Sequence, residues 1–207
     1  EANGIYRLNP LEQSLESQLG QVTPESHLIS LKAIGQVNQT YIVAEVREGI
    51  WLIEQHIAHE RVLYEQLQVD WQCVPIPTPL LLNYLTSIQV EKLLHLGIDI
   101  EPFGESVWVV RSVPAPLAQR ADCLEALQEL SLGGDLATAQ AAIACRTAIK
   151  NGTSLTLAEM QSLLEQWQQT RQPRTCPHGR PIYLALTETA LARFFRRNWM
   201  IGKSHGL

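Results

Sequence analysis

The sequence predicts an α+β fold, and three observations carry that prediction. Three short β-rich runs follow one another between His27 and Ile53 and lead straight into a helix beginning near Gln55. A middle block, from about residue 70 to 140, changes character, with a proline-rich run, its own hairpin and its own helices. Behind it come two well-capped helices and a closing strand–helix pair.

Residues 1–20 are polar, with Leu8, Leu11, Leu15 and Leu19 at helical intervals, and read as a leader segment or a short packed helix. From His27 to Val37 apolar positions alternate, and Tyr41–Val46 is β-branched and apolar. Val37-Asn38-Gln39-Thr40 between them is a tight connection, and Gly49–Ile53 makes a third strand, so the three form an antiparallel meander. In the helix that follows, His56, Glu60, Leu63 and Leu67 are spaced by four, three and four residues and share one face, from which Arg61 is excluded.

Val74–Pro79 carries three prolines at alternate positions, which rules out a helix or a central strand and suits an edge strand or a connection. Thr86–Leu96 is a helix capped at Thr86 or Ser87 and stopped by Gly97. Ile98–Phe103 and Ser106–Val113 pair as a hairpin through Gly104-Glu105, ended by Pro114 and Pro116. This block reads as an inserted subdomain with a small sheet of its own. Ala121–Leu132 is helical, Gly133-Gly134 breaks it, and Asp135 opens an alanine-rich helix running to about Lys150. Thr156 caps a helix over Leu157–Thr170, with Glu159 in the capping-box position. Cys176-Pro177-His178-Gly179-Arg180-Pro181 is a stiff turn, Ile182–Leu186 a strand, and Thr187 caps a last helix, Glu188–Asn198.

At 207 residues and 45% hydrophobic content, the chain buries a proper core as one large domain or two small ones. No apolar run approaches the length of a membrane span, and no charged-then-apolar leader opens the chain. Opening on Glu1 rather than a methionine, it reads as a piece of a longer protein. The net charge of −5 argues against a domain that grips nucleic acid over its whole surface. Yet Arg171–Lys203 holds seven basic residues against one acid, Glu188, which is either a footprint for a phosphate backbone or a set of solvated helix ends. Cys73, Cys123, Cys145 and Cys176 lie too far apart for a secreted disulfide framework, so reduced thiols in a cytosolic setting are expected.

The chemistry concentrates in Glu54–Glu65, where three carboxylates and two imidazoles fall within twelve residues. A His and a Glu on a packed helix face are costly unless something satisfies them, and a bound cation does so. The bland alternative is an exposed helix with solvated charges. Cys176-Pro177-His178 places a thiolate and an imidazole on one rigid turn, within reach of a single cation, although a lone Cys-x-His also arises by chance. Cys145-Arg146, taken alone, reads as a small core cysteine beside a charge that snorkels or pairs. A Cys-His protease fits less well, because no residue is placed to orient the histidine and no oxyanion-hole signature is present.

Together, Glu54–Glu65, Ala144-Cys145-Arg146, Cys176–Pro181 and Phe195-Arg196-Arg197 resemble, in order and rough spacing, the C-terminal domain of MutL mismatch-repair proteins of the endonuclease-bearing type. The resemblance runs from about His27 to Arg197. The family's first motif reads Asp-Gln-His-Ala, two variable residues, Glu, four variable residues, Glu. This sequence supplies Gln55, His56, Glu60 and Glu65, and departs with Glu54 for the aspartate and Ile57 for the alanine.

The resemblance implies that His56, Glu60, Cys145, Cys176 and His178 gather around a metal. It makes Glu54 the acid most tied to cleavage, with Gln55, His56, Glu60 and Glu65 in the same catalytic set. Arg146, Arg180, Phe195 and Arg197 then form the site's DNA-facing edge. It further implies two α/β subdomains: a dimerisation subdomain from residues 1–68 and 141–207 carrying the metal site, and an external regulatory subdomain over 69–140. The implied activity is DNA mismatch repair by metal-dependent nicking of one strand of duplex DNA, in a homodimer, in the bacterial cytoplasm at the nucleoid.

Carboxylates suit Mn²⁺ or Mg²⁺ and thiolates suit Zn²⁺, so a catalytic Mn²⁺ or Mg²⁺ is expected beside a regulatory or structural Zn²⁺. ATP belongs only to an N-terminal domain outside this chain. MutS and the sliding clamp are the further partners implied. The clamp motif corresponds to Asp70-Trp71-Gln72-Cys73-Val74-Pro75, with Asp70 where the family has glutamine. The extra methylene of Glu54 moves its carboxylate by about 1 to 1.5 Å, and a shift of that order costs about a hundredfold in rate. Cleavage is therefore expected to be retained but slower. The alternative is a dimerisation module with a structural or regulatory zinc and little or no cleavage.

Overall fold

Alternating side chains build the first of two antiparallel sheets in the computed structural model, which describes residues 30–195. The leucine-spaced segment 1–20, the strand start at His27, the end of the last predicted helix and Arg197 lie outside those residues. The sheet contains β1 (Lys32–Val37), β2 (Tyr41–Val46), β3 (Gly49–Glu54) and β7 (Tyr183–Thr187), in that order. Ile42 pairs with Ile53, and Ala44 with Trp51, which in turn pairs with Ala185; these residues share one face and are buried. Tyr41, Val43, Leu52, Ile50, Leu184 and Leu186 share the opposite face, with Tyr41 and Leu184 exposed and the others half-buried. The expected meander is what forms: Asn38 and Gln39, both with positive φ, lead the three-residue connection, 38–40, between β1 and β2.

The described residues divide into two compact units, one of residues 30–58, 150–169 and 173–195, the other of residues 59–149 and 170–172. The division falls inside one continuous helix, α1 (Gln55–Val69). In the first unit, α5 (Leu157–Gln168) starts at Thr156, whose side chain and that of Glu159 form the expected capping box. Its Trp167 meets Trp51 at 6.3 Å and Tyr183 at 5.5 Å edge-on, while Trp51 and Tyr183 stack at 4.4 Å. Gln161 on the same helix accepts from the Ala33 N–H at 2.9 Å and donates to the Leu31 carbonyl at 3.0 Å, so its amide occupies the free edge of β1. The last described helix is α6 (Glu188–Phe194), capped by Thr187.

In the second unit, β4 (Cys73–Asn83), β5 (Ile100–Pro102) and β6 (Val107–Pro114) form a sheet in the order β4-β6-β5. β4 runs through all three prolines and on to Asn83, further than the sequence suggests. The proline run is tolerated because β4 lies at the sheet's edge and its register shifts between Pro75 and Leu80. Around the sheet lie α2 (Ser87–His95), capped by Thr86, α3 (Cys123–Leu132) and α4 (Leu136–Thr147), capped by Asp135. Leu67, Leu82, Leu93, Val110, Val113, Leu117, Leu127 and Ile143 fill the core. α4 ends three residues before the expected Lys150, because Ala148 turns extended at φ −60°, ψ 151°.

One expectation fails on α1. Spacing puts Arg61 off the packed face, yet it is 4% exposed, 3.7 Å from Glu65 and over the Tyr64 ring at 5.5 Å. Gln55, Ala58, Glu60, Val62 and Leu67 are buried as well. A helix enclosed on several sides has no single apolar stripe, so spacing alone misassigns its charged residues.

Candidate metal centre

β3 hands the chain directly to α1. The Glu54 N–H donates to the Ile182 carbonyl at 3.0 Å, so the β3–β7 pairing continues up to the helix start. The Glu54 carboxylate caps α1 by accepting from the Ile57 N–H, and its other oxygen accepts from Asn151. Gln55 is fully buried. Its amide donates to the carbonyls of Gln39 at 2.8 Å, Lys150 at 3.1 Å and Thr153 at 3.2 Å, and accepts from Gln36. Gln55→Ala therefore strips partners from several inward-facing groups. It is expected to cost about 1 to 3 kcal/mol of stability, read as a lower denaturant midpoint.

Two clasps set the position of Cys145. Near one end of α4, Gln140 donates to the Leu67 carbonyl at 2.9 Å. Just past the other end, the Ile149 N–H donates to His59 Nδ1 at 2.9 Å. Cys145 lies between these ties, alongside Glu60. The sequence counts His59 only as the second imidazole of Glu54–Glu65 and gives it no role.

His178 sits in a three-residue hairpin loop, 177–179, and Cys176 and Arg180 close it. The Cys176 N–H donates to the Arg180 carbonyl and the Gly179 N–H to the Cys176 carbonyl, both at 2.9 Å. Gly179 adopts φ 81°, the left-handed position such a loop requires, and Thr175 bridges to Pro181 beyond it. Cys176 is buried and His178 exposed.

The structure brings two groups together. In one, donor atoms of His56, Glu60 and Cys145 lie within 4.8 Å of one another; in the other, those of Glu60, Cys176 and His178 do so. Ligands about 2.0 to 2.3 Å from one cation have separations that fit inside this limit. An imidazole, a carboxylate and a thiolate in each group form a donor set that suits a transition metal. Glu60, fully buried, belongs to both.

The other predicted residues stand elsewhere. Glu54 and Glu65 are in neither group. Glu65 faces the connection after α5, accepting from the Arg171 N–H at 2.8 Å. Arg146 pairs with Asp122 at 2.8 Å and with Glu129. Arg180 is half-buried, and Phe195 is exposed, edge-on to Phe194 at 5.3 Å.

The guanidinium groups of Arg120 and then Arg146 hold the Asp122 carboxyl well below the usual carboxylate range, while Asp122 and then Glu129 push Arg146 up. Because the folded pKa of Asp122 is depressed, its stabilisation is complete above the ordinary aspartate value of about 3.9 and is lost as the pH falls below it. Melting temperature should therefore fall more gently on acidification below about pH 4 in Asp122→Asn than in wild type.

None of the four cysteines forms a disulfide, and no helix among the described residues is long and apolar enough to cross a membrane. The model of the MutL C-terminal dimerisation domain family matches residues 34–155, more than half of the chain. The chain belongs to that family. Among its MutL relatives, a DNA mismatch repair protein MutL of Nostoc punctiforme is 60% identical over the whole chain. Another from Crocosphaera subtropica is 64% identical over 88% of it. A more distant MutL, from Methanocorpusculum labreanum, is 35% identical over 92%. The chain spans about a third of these relatives, 35%, 33% and 36% of their lengths. The α+β fold, with its two antiparallel sheets, agrees with this MutL assignment.

Proposed function

We propose that this chain is the dimerisation and endonuclease part of a mismatch-repair MutL, nicking one strand of duplex DNA with metal held by His56, Glu60, Cys145, Cys176 and His178. One observation carries the reading: the buried Glu60 carboxylate belongs to both donor groups, so a structural and a catalytic cation can share it. The Cys145 and Cys176 thiolates favour Zn²⁺, and the carboxylate favours Mn²⁺ or Mg²⁺. When bound, such a cation supplies positive charge for the phosphoryl oxygen and a water of lowered pKa.

The chain's own residues do the positioning. Gln55 fixes the start of α1. His56 and Glu60 present donors from successive turns, and the hairpin loop holds Cys176 against His178. Arg174, Arg180 and Arg193 supply positive charge to draw a phosphate backbone. The outer face of the four-stranded sheet takes a second copy, and ATP acts only outside this chain. MutS and the sliding clamp are further partners in this reading, the clamp meeting Asp70–Pro75, where Trp71 Nε1 donates to the Leu96 carbonyl at 2.8 Å.

A second reading has an observation in its favour. Both oxygens of Glu54 are engaged inside the chain, one as the helix cap, as suits a dimerisation module with zinc and no cleavage. Incubating supercoiled plasmid with the protein and Mn²⁺ separates the two. Relaxed circles that disappear on chelation support nicking. Zinc-loaded protein that yields no relaxed product at any Mn²⁺ concentration leaves only the second reading.

A further inference from the structure

We infer that Glu65 is a positioning residue for the Cys176–His178 loop and not a metal ligand; this rests on the metal-centre reading above. Glu65 lies five residues past Glu60 on α1, with its side chain only 12% exposed. Each of its oxygens takes one main-chain donor: Oε2 accepts from the Arg171 N–H at 2.8 Å, and Oε1 from the Gln172 N–H at 3.1 Å. The Arg171 side chain follows, with Nε 3.4 Å from Oε2 and Nη2 donating to Gln68 at 2.8 Å. Two consecutive residues of the connection leaving α5 are thus tied to the helix that carries His56 and Glu60.

The chain continues without slack. Trp167 Nε1 donates to the Pro173 carbonyl at 3.0 Å, and Thr175 is already bridged to Pro181. With 171, 172 and 173 held, Arg174 follows, its carbonyl accepting from the Ile182 N–H at 3.0 Å, and the bridge that opens the loop comes next. What holds Arg171 and Gln172 therefore contributes to the direction in which Cys176 and His178 enter the loop, alongside the ties of Pro173, Arg174 and Thr175. A carboxylate accepting two backbone N–H groups makes charge-assisted bonds. A glutamine offers one acceptor oxygen in its place, and an alanine none.

The test is a Co²⁺ titration of the chain, followed through the thiolate-to-cobalt absorption, with amide hydrogen exchange measured on the metal-free protein. Glu65→Ala should keep the wild-type stoichiometry and thiolate band but bind about 10- to 100-fold more weakly, the range usual for losing a group that orients a ligand. Its Arg171 and Gln172 amides should exchange faster. Glu65→Gln should recover part of the affinity, and it carries the comparison if the alanine variant does not fold. Cys176→Ala, by contrast, should lose band intensity. A cobalt equivalent lost from Glu65→Ala would make Glu65 a ligand and overturn the inference. Unchanged affinity and exchange, with a wild type that binds cobalt, overturns the positioning role alone. A wild type that takes up no cobalt overturns the metal-centre reading and this inference with it.

Discussion

Glu60→Gln should abolish measurable nicking and lower the metal content of the purified protein while leaving the fold intact. Glutamine keeps the volume and one acceptor oxygen, so the packing of α1 is preserved; what goes is the charge. Because Glu60 is common to both donor groups, a single change weakens both, whereas Cys145→Ser touches only the first. A bound cation contributes several kcal/mol to transition-state charge, and losing about 3 kcal/mol of it slows the reaction roughly a hundredfold. Plasmid nicking, elemental analysis and melting curves on the same preparation check all three. Wild-type nicking from a correctly folded Glu60→Gln protein would remove Glu60 from the centre of the reading.

Leu52→Asp should convert the proposed dimer into a well-folded monomer. Leu52 pairs with Val43 on one side and Leu184 on the other, in the middle of the sheet's outer face. The buried face, with Trp51 and Ile53, points the other way, so the substitution does not enter the core. A carboxylate at the centre of an apolar interface costs at least about 2 kcal/mol, which is roughly thirtyfold in dissociation constant. Light scattering at micromolar concentration reads the change, and an unaltered tryptophan emission shows that the Trp51–Tyr183–Trp167 cluster survives. A variant that stays dimeric with native emission would place the contact elsewhere.

Local features were legible in the sequence because local chemistry decides them. Alternating apolar positions up to Val37, the β-branched and apolar Tyr41–Val46 and the third run Gly49–Ile53 pointed to the meander, and Thr86, Asp135 and Thr156 announced helix starts with side chains that do cap them. What spacing could not give is enclosure. Arg61 is buried because its helix is covered on several sides, a fact of the tertiary arrangement. Nor could it give pairings in which one partner is a main-chain group. Glu65 meets the N–H of Arg171, more than a hundred residues away, and His59 meets that of Ile149, and no side-chain pattern at the receiving end marks either. The approach of Cys145 and of Cys176 to Glu60 is long-range as well; motif order suggested it, through resemblance to a family.

The amide of Gln161 has a consequence for how copies of this chain assemble. A sheet with an open edge can be extended by another sheet, and then another, since each addition presents a fresh edge. With Gln161 seated on Leu31 and Ala33, that stretch of the β1 edge offers no such continuation. In the proposed dimer, association uses the broad outer face, where a contact of the same patch with itself uses up that patch on both copies. Such an assembly is complete at two, and Gln161 disfavours growth into a ribbon at its end of β1.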